Sequence, residues 1–161
     1  GTLSRFYYPD FSVRHELSEA RWRVVDVFTF QPIEWLGGQI AGIFQHDDLG
    51  TVGSQTNWYS AGGRLGIGFA RHAKLLGETG YDRVTKTNGA DAQYMLKATG
   101  AIAITADRGF LARPELRLFY TWAVWNDAAR IAGVDSGRLY TDVYTNVLSG
   151  SIFGVQAETW W

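Results

Sequence analysis

Apolar and polar residues alternate along most of this chain. In RWRVVDVFTFQ (21–31), Trp22, Val24, Phe28 and Phe30 fall on one side of an extended strand. Arg21, Arg23, Thr29 and Gln31 fall on the other, and Asp26 is the exception on the apolar side. The same period of two recurs in 35–47 (Leu36, Ile40 and Phe44 against Gln39, Gln45 and Asp47) and in 57–71 (Tyr59, Leu65, Ile67 and Phe69 against Trp58, Ser60, Arg64 and several glycines). It recurs in 75–84, with Tyr81 opposed to Glu78 and Asp82, and in 92–107, with Tyr94, Leu96, Ile102 and Ile104 opposed to Lys97, Thr99 and Thr105. In 114–126, Leu116, Leu118, Tyr120, Trp122 and Val124 oppose Glu115, Arg117, Thr121 and Trp125, and Pro114 stands at the strand start, where a missing N–H does least harm. The final stretch 149–161 makes a seventh strand, with Phe153, Val155, Ala157 and Trp161 on one side and Gln156, Glu158 and Trp160 on the other.

The links between these strands alternate in length. QPIE, RHAK and DRGFLAR are short, whereas DDLGTVGSQT, KTNGA and the stretch 127–148 are mostly longer and richer in Gly, Asp, Asn and Thr. Residues 1–20 carry little pattern, hold Pro9, and read as a loop segment with at most a partial strand at Leu3–Tyr8. The expected organisation is therefore a loop segment 1–20 followed by a strand domain 21–161 with a long surface loop at 127–148.

Two all-β architectures satisfy this pattern: a soluble sandwich or lipocalin-like barrel with the apolar face inside, and a membrane barrel with the apolar face outside. Composition tilts the choice. Aromatics make up 15% of the 161 residues, and many stand at strand ends (Trp22, Phe30, Tyr59, Tyr94, Tyr120, Trp122, Trp161), where a bilayer's interfacial girdles lie. The polar face mixes long charged groups with large aromatics, as a water-filled interior does. Alternately short and long connections, and strands of about 10 residues, fit a tilted membrane crossing. The terminal SIFGVQAETWW then makes sense: Trp161 faces the bilayer interface and Trp160 points inward.

Other properties exclude whole classes. A net charge of −1 gives no bulk electrostatic drive toward nucleic acid. The absence of cysteine excludes a disulfide framework and thiolate metal sites. No apolar run approaches the roughly 20 residues of a membrane helix, and no signal peptide is visible, so a secreted protein would be seen here as a processed chain or a fragment. A mean hydropathy of −0.13 does not argue for solubility, because lipid-facing and interior residues average out in a barrel. His46-Asp47-Asp48 reads as a solvated loop tip rather than an oxygen-ligand cation site, and GGRLGIG (62–68) lacks the Lys-Ser/Thr of a phosphate loop. The three histidines fall at loops or strand ends, and no catalytic constellation is visible; neither enzyme activity, nor a metal, nor a cofactor is expected.

Four blocks, RVVDVFTFQPIEWLGGQIAGIFQHDD, GETGYDRV, ARPELRLFYTWAVWN and FGVQAETWW, in this order and spacing, resemble the C-terminal portion of maltoporins, the sugar-specific porins of bacterial outer membranes. The resemblance runs from about His15 to Trp161. It implies an antiparallel transmembrane β-barrel of eighteen strands in a homotrimer, embedded in outer-membrane lipid, with this chain supplying the last seven strands and starting in an extracellular loop. A seven-stranded sheet with two open edges is not viable in lipid, so the remaining strands are expected from an N-terminal portion or another chain.

The resemblance also implies a substrate: oligosaccharides, maltodextrin-like or other, moved by facilitated diffusion along a slide of aromatic residues. The penultimate Trp of that slide falls on Trp160. A second slide aromatic precedes an S-R-P turn in the family; here the turn reads F-L-A-R-P, which puts Leu111 at that position, with Phe110 beside it as the candidate pore-lining substitute. Independently, alternation places Arg64, Glu78, Asp82, Lys97, Arg117 and Glu158 in the lumen, as sugar hydrogen-bonding groups or as interior charge pairs. The competing functions are a general diffusion porin, a non-transporting outer-membrane barrel and a soluble small-ligand carrier.

Overall fold

A computed structural model of the chain describes residues 19–135 and 146–159. The segment 1–18, the central part of the long 127–148 connection, Trp160 and Trp161 lie outside the described residues, and with them the partial strand expected at Leu3–Tyr8. The described residues form one seven-stranded antiparallel sheet in sequence order: β1 (Ala20–Ile33), β2 (Leu36–Asp48), β3 (Thr56–Ala70), β4 (Ala73–Lys86), β5 (Gln93–Thr105), β6 (Glu115–Trp125) and β7 (Ser149–Glu158). β1 and β7 are its two edges. The all-β expectation and the seven predicted strands are thus met. No helix among the described residues is long and apolar enough to cross a membrane.

Register confirms the two faces. Along one row Leu75 faces Ile102, Ile102 faces Leu118, and Leu118 faces Val155. Three residues along, on the other face, Glu78 faces Thr99 and Thr99 faces Thr121. A period of exactly one side chain per face per two residues keeps every apolar position on one side across all seven strands. The apolar face is bare: Phe28, Ile40, Ile102, Ile104, Leu118, Phe153 and Val155 are all more than half exposed. The buried residues lie instead on the polar face, among them Lys74, Glu115, Arg117 and Thr121. This is the inverse of a soluble sandwich, whose apolar sides would pack together.

Strand-end aromatics cluster as expected. Trp22, Phe44 and Tyr59 sit on three adjacent strands of the apolar face, with ring centroids 4.9 Å apart for the first pair and 4.8 Å for the second. Tyr94 and Trp122 are also exposed on that face.

Three connections differ from the sequence expectation. β1 runs through Pro32 to Ile33, past the predicted QPIE turn; the register shifts between Phe30 and Ile33, and a proline with no N–H to pair is accommodated at such an irregularity. The long 127–148 connection opens with a helix, α1 (Asp127–Asp135). Asn126 caps it: its side-chain carbonyl accepts a hydrogen bond from Ala129 N at 3.1 Å, and its amide donates to Ala92 O at 2.7 Å. The third is the β5–β6 connection, 106–114, which folds across the polar face instead of simply closing a hairpin.

Candidate functional site: a charged track on the polar face

Beside an Arg21–Asp47 pair at the far end of β1 and β2, two clusters of ionic groups lie on the polar face along the strand direction. The first lies at mid-strand. Arg64 on β3 donates to Glu78 Oε2 on β4 through Nε at 2.9 Å and Nη2 at 2.7 Å. The two residues are direct cross-strand partners, which is why the pair forms with little side-chain bending. Asp82, two same-face positions further along β4 beyond Gly80, accepts a hydrogen bond from Trp58 Nε1 at 3.0 Å. The Arg23 guanidinium sits 5.4 Å from the Trp58 ring centre. Lys97 on β5 faces Gly80 and makes no ion pair or hydrogen bond among the described residues. A shallow groove brings Arg64, Glu78, Asp82 and Lys97 together around Gly62 and Gly80. Open space lies above Gly80, where an added Cβ would meet nothing within 4 Å. The arrangement is a floor without side chains, ringed by charged groups.

The second cluster lies at the end with the short connections. Glu115 on β6 is its hub: Oε2 is 2.5 Å from Lys74 Nζ and 3.3 Å from Arg113 Nη1, and Oε1 is 2.7 Å from Arg117 Nη2. Glu158 on β7 pairs with Arg117, and with Arg113 at 2.8 Å. Lys74 and Glu115 side chains are each 1% exposed. Three cations thus surround two carboxylates. The two clusters are continuous: Arg64, Glu78, Thr99, Arg117 and Gln156 line one small hollow between them, and Thr99 and Thr121 hydroxyls are 2.7 Å apart beside it.

Six of the residues expected in the lumen therefore stand on the polar face, Arg64, Glu78, Asp82 and Lys97 in one group and Arg117 and Glu158 in the other. Phe110 is 7% exposed, packed against Gly37 and Gly66 of neighbouring strands, and lies in the 106–114 connection. Leu111 beside it is 55% exposed. Trp160 lies outside the described residues. Trp125, on the same face, lines a hollow under α1 together with Met95, Lys97 and Ile152. The His46-Asp47-Asp48 side chains go separate ways: His46 to Asn57, Asp47 to Arg21, Asp48 to Gly50 N and Gln55.

Sequence reasoning missed Lys74, Arg113 and the central position of Glu115. Lys74 shares the parity of Glu78 and Asp82 on one strand, so alternation was a sufficient signal for it. Arg113 lies in a connection, where alternation says nothing.

Comparison with known proteins agrees with this geometry. A family profile described as LamB porin matches residues 2–161. Among curated proteins, Maltoporin 2 of Yersinia pestis (strain Pestoides F) is 30% identical over 141 residues, covering 86% of this chain and 30% of that protein. Maltoporin 2 of Yersinia pseudotuberculosis serotype O:1b (strain IP 31758) matches to the same extent. The chain thus spans about 30% of the length of the curated relatives it matches. A bare apolar face and a covered polar face on one antiparallel sheet fit a partial porin barrel. On sequence alternation, inverted burial and family profile together, the chain belongs to the LamB porin family, proteins of the bacterial outer membrane.

Proposed function

We propose that the barrel containing this sheet is a sugar-selective porin, through which oligosaccharides cross the outer membrane by passive, facilitated diffusion. The observation that carries this reading is the mid-strand groove, where Arg64, Glu78, Asp82 and Lys97 surround the glycine floor of Gly62 and Gly80. A pyranose is a disc edged with hydroxyls. Ionised donors and acceptors around an open floor bind that edge through charge-assisted hydrogen bonds. Trp160, the slide position implied by family resemblance, offers the aromatic face on which the sugar's C–H patches stack. Sites of this kind in series let a sugar chain move without sticking, because each contact is weak enough to release.

Arg117 and Glu158 extend the track toward the periplasmic end, so that hydroxyls leaving the groove meet further ionised partners. Remaining strands complete the barrel from outside these seven, and the working unit is a homotrimer in outer-membrane lipid. A second reading, a general diffusion porin, draws support from one observation: Leu111 stands where the family's slide has an aromatic, and Phe110 beside it is covered. Liposome swelling with sugars of graded length separates the two. Saturable flux that depends on sugar identity supports selectivity; flux that falls only with molecular size supports general diffusion.

A further inference from the structure

We propose that the 106–114 connection forms the narrow exit of the pore, and that Lys74 and Glu115 are the positioning residues that hold it there. The inference rests on the reading of this chain as a porin wall.

The connection is folded inward onto a platform. Cβ atoms built at Gly37 and Gly66 would lie 2.5 Å from Phe110 Cβ and 2.9 Å from the Phe110 ring; one built at Gly68 would lie 2.9 Å from Arg108 Cβ. Three positions on β2 and β3 thus lack side chains on the luminal side where the connection crosses them. It reaches as far as β1, where Gln31 Oε1 accepts a hydrogen bond from Phe110 N at 3.3 Å. A link that only joined two antiparallel strands needs two to five residues and no such platform. Here the connection leaves β5 and β6, passes over β4, β3 and β2, and so occupies luminal cross-section at the periplasmic end.

The ion cluster holds this conformation through the backbone. Lys74 Nζ donates to Gly109 O and Phe110 O, both at 3.2 Å, and pairs with Glu115 at 2.5 Å. An ammonium has three donors and all three are spent. Arg113 adds hydrogen bonds to Phe110 O at 3.3 Å and Ala112 O at 2.9 Å, and Thr105 Oγ1 donates to Ala112 O at 3.1 Å. Lys74 is fully covered and cannot touch a passing solute. Its effect on transport runs through the connection it fixes.

The test is ion conductance of single channels of the full porin in planar bilayers, a readout that does not depend on the sugar. Lys74→Met should raise conductance about twofold, because the exit widens, and should admit longer sugars in swelling assays; Lys74→Arg should stay close to native. With any cysteine outside these 161 residues replaced, the residues themselves having none, a Gly68→Cys, Arg108→Cys pair is a lock at a separation that a disulfide can span after slight adjustment. In the Lys74→Met background, oxidation should return conductance to the native level and reduction should release it. If Lys74→Met fails to assemble, the cysteine pair in the otherwise native chain decides: a disulfide that forms and leaves conductance unchanged supports the inward position, and failure to form overturns it. Native conductance and native size cut-off in assembled Lys74→Met channels also overturn the proposal. Native protein that forms no channels overturns the porin reading instead.

Discussion

Lys74 Nζ and Glu115 Oε2 lie 2.5 Å apart with both side chains 1% exposed, on strands separated by β5. A buried pair of this kind carries a large desolvation cost that only its partners offset. Here the partners are shared: Glu115 serves Lys74, Arg113 and Arg117 at once, and only Glu158 offers a second carboxylate.

Asymmetric sharing predicts asymmetric stability. Glu115→Gln leaves three cations facing one carboxylate and should destabilise the barrel by about 3–5 kcal/mol, the range for stranding a buried charge. Lys74→Met leaves two cations against two carboxylates, a balanced set, and should cost clearly less. Heat- or urea-induced unfolding of the refolded porin, followed by gel mobility, gives the order of the two variants; equal losses would mean that Glu115 is not the hub.

Arg64 predicts a transport effect without a stability effect. Its pair with Glu78 is partly open to the lumen, with side-chain exposures of 25% and 12%, so replacement should leave the barrel folded. Hydrogen bonds to a charged group contribute about 1.5–3 kcal/mol, so Arg64→Gln should weaken sugar block of ion current roughly tenfold or more. Titrating the current with an oligosaccharide measures this directly, and an unchanged blocking constant removes Arg64 from the sugar track.

Trp160 should behave in the same way for a different reason. Losing one stacking face costs about 1 kcal/mol. Trp160→Ala is expected to weaken sugar block several-fold while leaving open-channel conductance near native. Unchanged block would mean that this position does not belong to the slide.

Opposite faces should tolerate charge differently. Ile102→Arg places a guanidinium among lipid-facing Leu75 and Leu118 and should cost about 2–4 kcal/mol near mid-bilayer. Gly80→Arg enters open luminal space and should fold normally while lowering conductance. Folding yields into lipid vesicles compare the two.

Much of the fold was legible because a barrel wall is a local code. Each strand's alternation fixes its own two faces, and antiparallel neighbours joined in order need no long-range information. Arg64, Glu78, Asp82 and Lys97 could therefore be assigned to one wall from parity alone. The inward connection could not: Phe110 contacts Gln31, Gly37 and Gly66, distant in sequence, and alternation gives no sign of a connection's direction. A clue was present in Gly37, Gly66 and Gly68, three luminal positions without side chains at one end of two adjacent strands. Helix α1 was also signalled, by Asn126 before Asp127 at its start, but the long connection was read from its polar composition.

The central claim is that alternate residues of one strand meet lipid and water. Single cysteines placed along β5 of the otherwise cysteine-free chain, assembled in the outer membrane and treated with a charged, membrane-impermeant thiol reagent, test it most directly. The account predicts labelling at Lys97→Cys, Thr99→Cys and Ala101→Cys and protection at Ala98→Cys, Gly100→Cys and Ile102→Cys. Labelling of the second set, or no alternation between the two, would contradict it.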